Sequence, residues 1–202
     1  TYACTEAASS LTFHDVTQTT QQDDDCVGTP PDHIELALFE RGRIVTAPFE
    51  RGVIATRGPH VLNRYWGQPP RRRNEWFQTN DLGYFDGKGK LYFCGRLSDS
   101  IRTGGETVLA LEVERILLRH PAIVECAVFG LDDDKFGQVV CAALVATASV
   151  DSVKEWCGEQ GLAGYKRPRR VYCVDELPRN SSGKVLKFRL VERFQQHERS
   201  KL

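Results

Sequence analysis

The chain has 202 residues, 41% of them hydrophobic, and its 27 basic side chains balance 27 acidic ones. That length suits one or two domains with buried cores, and a net charge of zero supplies no general field for gathering nucleic acid. No apolar run reaches the length of a membrane span. The seven cysteines are scattered without a CxxC pair, which argues against a zinc site or a redox pair and suits a reducing compartment. There is no methionine, and the chain opens abruptly on Thr1, so it reads as a piece of a longer protein.

In chain order, the first half is predicted to be β-rich. Short apolar runs at 34–38, 43–47 and 52–58 lie between Gly, Pro and charged turns. Within the third, Val53 and Ala55 alternate with Ile54 and Thr56, the period of a strand. A further strand is expected around Trp76 to Thr79, and a hairpin follows, with GYFD, a GKG turn and KLYFCGR. So many short strands predict a small barrel or sandwich. The tracts Arg71-Arg72-Arg73, Asp23-Asp24-Asp25 and Asp132-Asp133-Asp134 read as solvated loops.

After Gly95 the pattern becomes mixed. Leu109, Val113, Ile116 and Leu117 recur at helical spacing, with Pro121 as the stop. IVECAVFG and VVCAALVA read as buried strands. A second helix is predicted over 149–161, with Ser152 and Glu155 as a capping box and Val153, Trp156 and Cys157 as its apolar stripe. A third strand is expected over 170–174, and Leu186, Leu190, Val191 and Phe194 mark a last helix. The fold class is therefore α+β: a β-rich subdomain over 1–95, then a compact α+β domain over 96–202.

Four stretches carry chemistry-bearing residues: TYACTE at 1–6, TNDLG at 79–83, GRLSDSIRTGGETVLALEVE at 95–114 and PRNSSGKVLK at 178–187. Taken singly, each has an ordinary structural explanation, such as a helix start, a turn or a tight bend. The Gly-Lys pair does not complete a phosphate-binding P-loop, because Pro178 stands where its first glycine belongs and Val185 replaces the Ser/Thr.

Together and in this order, the four resemble the adenylate-forming superfamily of acyl-CoA synthetases, luciferases and peptide-synthetase adenylation domains. TYACTE is similar to the family's Y-G-x-T-E, with Ala3 for the glycine. TNDLG is similar to T-G-D-L-G, with Asn80 for the glycine, and NSSGKVLK to S-S-G-K-x-x-R, with Lys187 for the arginine. The stretch after Arg96 matches the hinge and glycine loop, with Ala110 where proline is usual. The resemblance covers the end of the large adenylation domain and then the mobile small domain.

That family joins a carboxylate to AMP, releasing pyrophosphate from ATP, and then passes the acyl group to the thiol of coenzyme A. The first step brings two anions together and needs positive charge between them. The resemblance implies that Lys184 supplies it, a compact point charge on a flexible stem, with Gly183 and the serines letting its loop move. It also implies that Glu6 holds Mg²⁺, Thr5 binds the α-phosphate, Tyr2 packs on adenine, and Asp81 accepts from both ribose hydroxyls. Arg96 adds a grip on the nucleotide, Ser98 is the hinge, and the bare backbone of Gly104-Gly105-Glu106 leaves room for the pantetheine arm of coenzyme A. Lys166, Arg167, Arg169 and Arg170 read rather as surface residues before a strand than as coenzyme A contacts.

AASSLTF at 7–13, with CVGTPPDHIEL and TRGPHVLNRYWG, is similar to the plant-type 2-succinylbenzoate–CoA ligases of phylloquinone synthesis, in which Ser9 or Ser10 would bond a second carboxylate. A 4-coumarate-like or fatty acyl-CoA ligase is the alternative, and a non-catalytic remnant another if the chain truly starts at Thr1; the piece alone is expected to be inactive. The final Ser200-Lys201-Leu202 reads as a peroxisomal address recognised by an import receptor. A plastid destination stays open if a transit segment lies upstream.

Overall fold

The structure is a computed structural model, and it describes residues 1–14, 25–72, 74–147 and 149–199. The Ser200-Lys201-Leu202 ending, Asp23, Asp24 and Arg73 lie outside the described residues, as does the side chain of Ser9. The chain divides into two compact units, Thr1–Ser98 and Asp99–Leu202.

The first unit begins with a ribbon of two antiparallel strands, β1 (Tyr2–Cys4) and β2 (Ser9–Thr12). Six more follow: β3 (Cys26–Gly28), β4 (Glu35–Glu40), β5 (Arg43–Val45), β6 (Gly52–Arg57), β7 (Phe77–Phe85) and β8 (Leu91–Arg96). They form one antiparallel sheet in the order β3-β8-β7-β6-β4-β5. The expected barrel or sandwich is thus an open sheet: its end strands, β3 and β5, do not pair with each other among the described residues. Tyr2, Ala7 and Leu11 of the ribbon segment share a core with Ile34, Leu38, Ile54 and Leu91 of the sheet segment. The alternation expected in β6 does not hold either. Ile54, Ala55 and Thr56 are all buried, because β6 lies inside the sheet and both of its faces are covered.

The second unit has a sheet in the order β10-β9-β12-β11, from β9 (Ser100–Thr103), β10 (Glu106–Leu109), β11 (Ile123–Asp133) and β12 (Gly137–Ala146). A short β13 (Arg170–Cys173) runs parallel to β12. Among the described residues it also holds the helices α1 (Ala110–Leu118), α2 (Val150–Glu159) and α3 (Lys187–Arg199). Successive side chains of β12 serve two cores. Val140, Ala142 and Leu144 pack with Val113 and Leu117 of α1 and Val153 and Cys157 of α2. Val139, Cys141 and Ala143 pack with Leu190 and Phe194 of α3. A strand buried on both faces reads as a continuous apolar run, which is what VVCAALVA is. Each such fully buried Val or Leu contributes ~1.5–3 kcal/mol.

One local expectation is corrected. The start of α2 is capped by Ser149, whose hydroxyl accepts the Ser152 N–H at 3.2 Å, and not by a Ser152–Glu155 box. Ser152 already lies inside the first turn, where its backbone N–H is one of the donors that need a partner.

Candidate active site

The first unit carries an open pocket of about 740 Å³ whose lining includes Thr5, Glu6, Thr79, Asn80, Asp81 and Arg96. Asp81 is set there by a break in its own strand. Along β7, Gln78 faces Ala55 and Leu82 faces Val53, so Thr79, Asn80 and Asp81 stand opposite Ile54 alone. Such a bulge bends the strand and re-aims side chains. Asn80 takes φ 66 within it. Glycine adopts that left-handed conformation freely and asparagine tolerates it, so the Asn80-for-glycine departure keeps the loop's shape.

Asp81 is only 7% exposed. Its Oδ2 accepts the Tyr2 hydroxyl at 2.7 Å, and Arg96 Nε lies 3.5 Å from its Oδ1. Asp81 and Arg96 are register partners across β7 and β8. The two contacts are unequal. The Arg96 side chain is 52% exposed, and an exposed ion pair contributes about 0–1 kcal/mol. A buried hydrogen bond to a charged acceptor contributes about 1.5–3 kcal/mol, so Tyr2 is the stronger anchor. Thr79 completes the cradle: its hydroxyl donates to the Ile54 carbonyl and accepts the Asp81 N–H, and it lies 2.9 Å from the Tyr2 hydroxyl. Burial, reinforced by Asp81, pushes the Tyr2 hydroxyl far above the ordinary tyrosine range, so it stays a neutral donor.

The Tyr2 ring is buried, it stacks on Phe93 with centroids 6.1 Å apart, and it is not among the residues lining the pocket. Its hydroxyl supports Asp81.

Thr5 and Glu6 belong to a short 3-10 turn, Thr5–Ala7, that joins β1 to β2. Ala8 closes it at φ 59, with its N–H on the Thr5 carbonyl. Two contacts from the loop beyond β6 hold Glu6. The Leu62 N–H donates to its carbonyl at 2.6 Å, and the Tyr65 hydroxyl donates to its Oε1 at 2.9 Å. That bond to a carboxylate also raises the Tyr65 hydroxyl above its ordinary range. Ser10 pairs with Ala3 across the ribbon, half-buried, and does not line the pocket. Ser98 lies in the turn Leu97–Asp99 and is the last residue of the first unit.

In the second unit, Gly104 and Gly105 are the two-residue turn between β9 and β10, at φ 58 and 87. A two-residue hairpin with both φ values positive selects glycine on conformation alone. The Gly104 N–H donates to the Phe136 carbonyl at 2.9 Å, and Glu106 is exposed beside the turn. The three basic residues just before β13 and Arg170 at its start all have partners. Lys166 pairs with Glu112, Arg167 donates to the Leu162 carbonyl, Arg169 lies over the Phe136 ring and Arg170 pairs with Asp133.

Lys184 is exposed, and among the described residues no carboxylate pairs with its ammonium. Its loop, which the resemblance expects to move, is internally a hydrogen-bonded turn. The Asn180 side-chain oxygen accepts the N–H groups of Ser182 and Lys184 and the Ser182 hydroxyl, at 3.1, 2.8 and 2.9 Å. The Asn180 N–H donates to the Lys184 carbonyl and the Gly183 N–H to the Asn180 carbonyl. Gly183, at φ 82, is there because this closed turn needs left-handed backbone. Three residues after Lys184, Lys187 pairs with Glu114 at 2.8 Å and with Asp99 at 3.6 Å, and Glu114 also accepts the Val128 N–H.

Sequence reasoning missed Thr79, Tyr65, Asn180 and Glu114. Only Asn180 had a local signal: an asparagine ahead of a Ser-Ser-Gly run is a turn former.

Known proteins align with this arrangement. Residues 112–184 match the family described as AMP-binding enzyme C-terminal domain. A 2-succinylbenzoate–CoA ligase of Geobacillus sp. is 40% identical over 172 residues, 81% of this chain and 35% of the relative. An oxalate–CoA ligase of Arabidopsis thaliana is 32% identical over 201 residues, 96% of this chain and 39% of the relative. The chain thus spans little more than a third of the length of these curated relatives. Among solved structures, the o-succinylbenzoate CoA synthetase of Bacillus subtilis in complex with the acyl-adenylate intermediate has a TM-score of 0.85 at 35% identity, over 94% of this chain and 40% of the other.

Proposed function

We propose, for a chain that belongs to the adenylate-forming enzymes, that it is part of an ATP-dependent acid–CoA ligase. The whole protein would convert an acid and ATP to an acyl-adenylate and pyrophosphate. The thiol of coenzyme A would then displace AMP to give the thioester. The observation that carries the reading is the Asp81 pocket. Its carboxylate is fixed on one oxygen by Tyr2, while the other has only a 3.5 Å contact and keeps lone pairs for ribose hydroxyls. Arg96 and the exposed Thr5 supply a cation and a hydroxyl for phosphate at the same pocket.

The residues also fit Mg²⁺ in one manner. No cluster of three or more His, Cys, Asp or Glu side chains that could hold the ion occurs among the described residues. Glu6 Oε1 is engaged by Tyr65, and the Glu6 carboxylate retains acceptor capacity. One carboxylate with the nucleotide's own phosphates is the usual way of holding Mg²⁺, which there neutralises phosphate charge. Lys184 would place its ammonium on the acid and the α-phosphate as they combine. The turn at Gly104, Gly105 and Glu106 would border the pantetheine arm.

For the acid, 2-succinylbenzoate is our first choice, with the product feeding phylloquinone or menaquinone synthesis. The relatives named for 2-succinylbenzoate and for oxalate both act on acids with two carboxyl groups, which favours oxalate as the second reading. A destination in the peroxisome, through Ser200-Lys201-Leu202, belongs to the same proposal. It is tested by removing that tripeptide from a fluorescent fusion, which should abolish punctate localisation. The deciding assay is AMP release by the longest natural chain that contains this sequence, with ATP, Mg²⁺ and coenzyme A. The acids to compare are 2-succinylbenzoate, oxalate, 4-coumarate and a long-chain fatty acid. We expect 2-succinylbenzoate to be preferred. Absence of acid-dependent AMP release with all four would overturn the ligase reading.

A further inference from the structure

We infer that Asn180 is a positioning residue for Lys184, through a carboxamide that locks the lysine's loop, with the Arg179–Glu125 pair as its second fastening. The inference rests on the ligase reading above and adds to it the residues that aim the lysine. One oxygen of Asn180 collects three donors, two of them backbone or side chain of Ser182 and the third the N–H of Lys184 itself. From the other side, the Arg179 guanidinium donates to the Gly183 carbonyl and to Glu125 Oε2, both at 2.7 Å. Arg179 and Val185 close the loop's base as an isolated bridge, and the Leu186 N–H donates to the Pro178 carbonyl. The backbone on both sides of Lys184 is therefore tied down, while its ammonium has no carboxylate partner among the described residues.

This division of labour has a kinetic consequence. A flexible stem on a fixed base searches a small volume, whereas the same stem on a loose loop loses most productive arrangements. Misplacing a reacting charge by about 1 Å can cost about 10²-fold. The carboxamide itself touches neither acid nor nucleotide in this account, so its loss should act on rate and not on substrate binding.

The test uses Asn180→Ala, which removes the acceptor, and Asn180→Asp, which keeps it. In the longest natural chain, Asn180→Ala should lower kcat for acid-dependent pyrophosphate exchange about 10–100-fold, with KM for ATP unchanged. Transfer from preformed acyl-adenylate to coenzyme A, a step that does not use Lys184, should keep its rate. In the 202-residue chain, the amides of Ser182 and Lys184 should exchange with deuterium faster, while those of β11 and β12 should not. Asn180→Asp should restore the slow exchange and most of the rate. Unchanged exchange and kcat in Asn180→Ala would overturn the inference, as would an equal loss in both half-reactions, which would mark a merely structural residue. A Lys184→Ala control separates the layers: if that variant retains pyrophosphate exchange, the ligase reading of Lys184 fails and not the loop's geometry.

Discussion

The Asp81 pocket and the Lys184 loop hold their charges in opposite ways. Asp81 is sunk to 7% exposure, and its carboxylate is fixed by side chains, Tyr2 above all. Lys184 is exposed, and what is fixed is the backbone beneath it. A buried carboxylate with one oxygen already bonded is a stationary acceptor, suited to gripping neutral hydroxyls. An ammonium with no carboxylate partner among the described residues, on a locked turn, is a charge that can be delivered. The lesson is that preorganisation need not reside in the functional group; it can stop at Cα and leave the stem free.

The largest expected effect breaks the comparison at the delivered charge. Lys184→Ala should slow acid-dependent pyrophosphate exchange ~10²–10³-fold, as for loss of one preorganised donor to developing charge. Its KM for ATP should stay near the parent value, because the base of the loop and the Asp81 pocket are untouched. An unimpaired exchange rate in this variant would remove the reason for reading the loop as functional.

The next effect falls on the stationary acceptor and should have the opposite signature. Tyr2→Phe removes one hydrogen bond to the Asp81 carboxylate, a bond contributing about 1.5–3 kcal/mol. If about half of that is felt in nucleotide binding, KM for ATP rises about 4- to 13-fold with kcat little changed. Asp81→Ala should raise it further. Steady-state kinetics on both variants, with ATP varied, checks the pair. A fall in kcat at constant KM would mean that Asp81 acts on the chemical step and not on the nucleotide's grip.

Lys187 sharpens the contrast, because it is a lysine of the same segment used as scaffold. Its side chain is 22% exposed, and it faces Glu114, 13% exposed, and Asp99. Removing one partner of such a pair leaves the other poorly solvated. Lys187→Met should therefore destabilise the second unit by about 1–3 kcal/mol, the cost of an unsatisfied charged group at a partly buried site. Lys187→Arg should restore most of the stability. Urea midpoints of the 202-residue chain give the answer, and equal midpoints for Met and Lys would show that the network contributes nothing.

Much of the fold was legible because the two units use strong periodic signals. The continuous apolar run of β12 and the 3.6-residue spacing of Val113 and Leu117 each dictated an element. What failed was closure of the first sheet, since strand count does not determine whether end strands meet. The site residues were found through their resemblance to a family, not through periodicity, and that route names side chains without stating how they are held. It therefore named Tyr2 for adenine without showing that the side chain is buried and bonded to Asp81, because a motif letter carries no burial. It also took Gly183 and the serines as freedom for the loop to move, and did not show that Asn180, two residues before Ser182, closes the same letters into a turn. Thr79 and Tyr65 act through partners far along the chain, Ile54 and Glu6, and no local pattern announces them.

At neutral pH the smallest effect concerns a group that neither region uses, because its contribution changes only above about pH 9, and it calibrates how dry the second unit's interior is. Burial, with help from Glu114, pushes the Cys126 thiol up to about 12 from an ordinary value of 9.0. Its Sγ also lies 3.5 Å from the Glu114 carbonyl, to which it donates. A group held protonated above its unfolded value contributes stability that is fully present below about pH 9 and is lost as the pH rises toward 12. Within that window the fall from this one group is about 1.4 kcal/mol per pH unit. Cys126→Ala should flatten the decline in urea midpoint between pH 9 and pH 10.5, whatever it does to the midpoint at pH 8. In the same chain at pH 8, the exposed Cys173 should react with a thiol reagent well before Cys126, because the thiolate is the nucleophile and burial suppresses it. If Cys126 labels as fast as Cys173, the Glu114–Lys187 network beside it is wetter than its geometry implies, and the stability assigned to Lys187 shrinks with it.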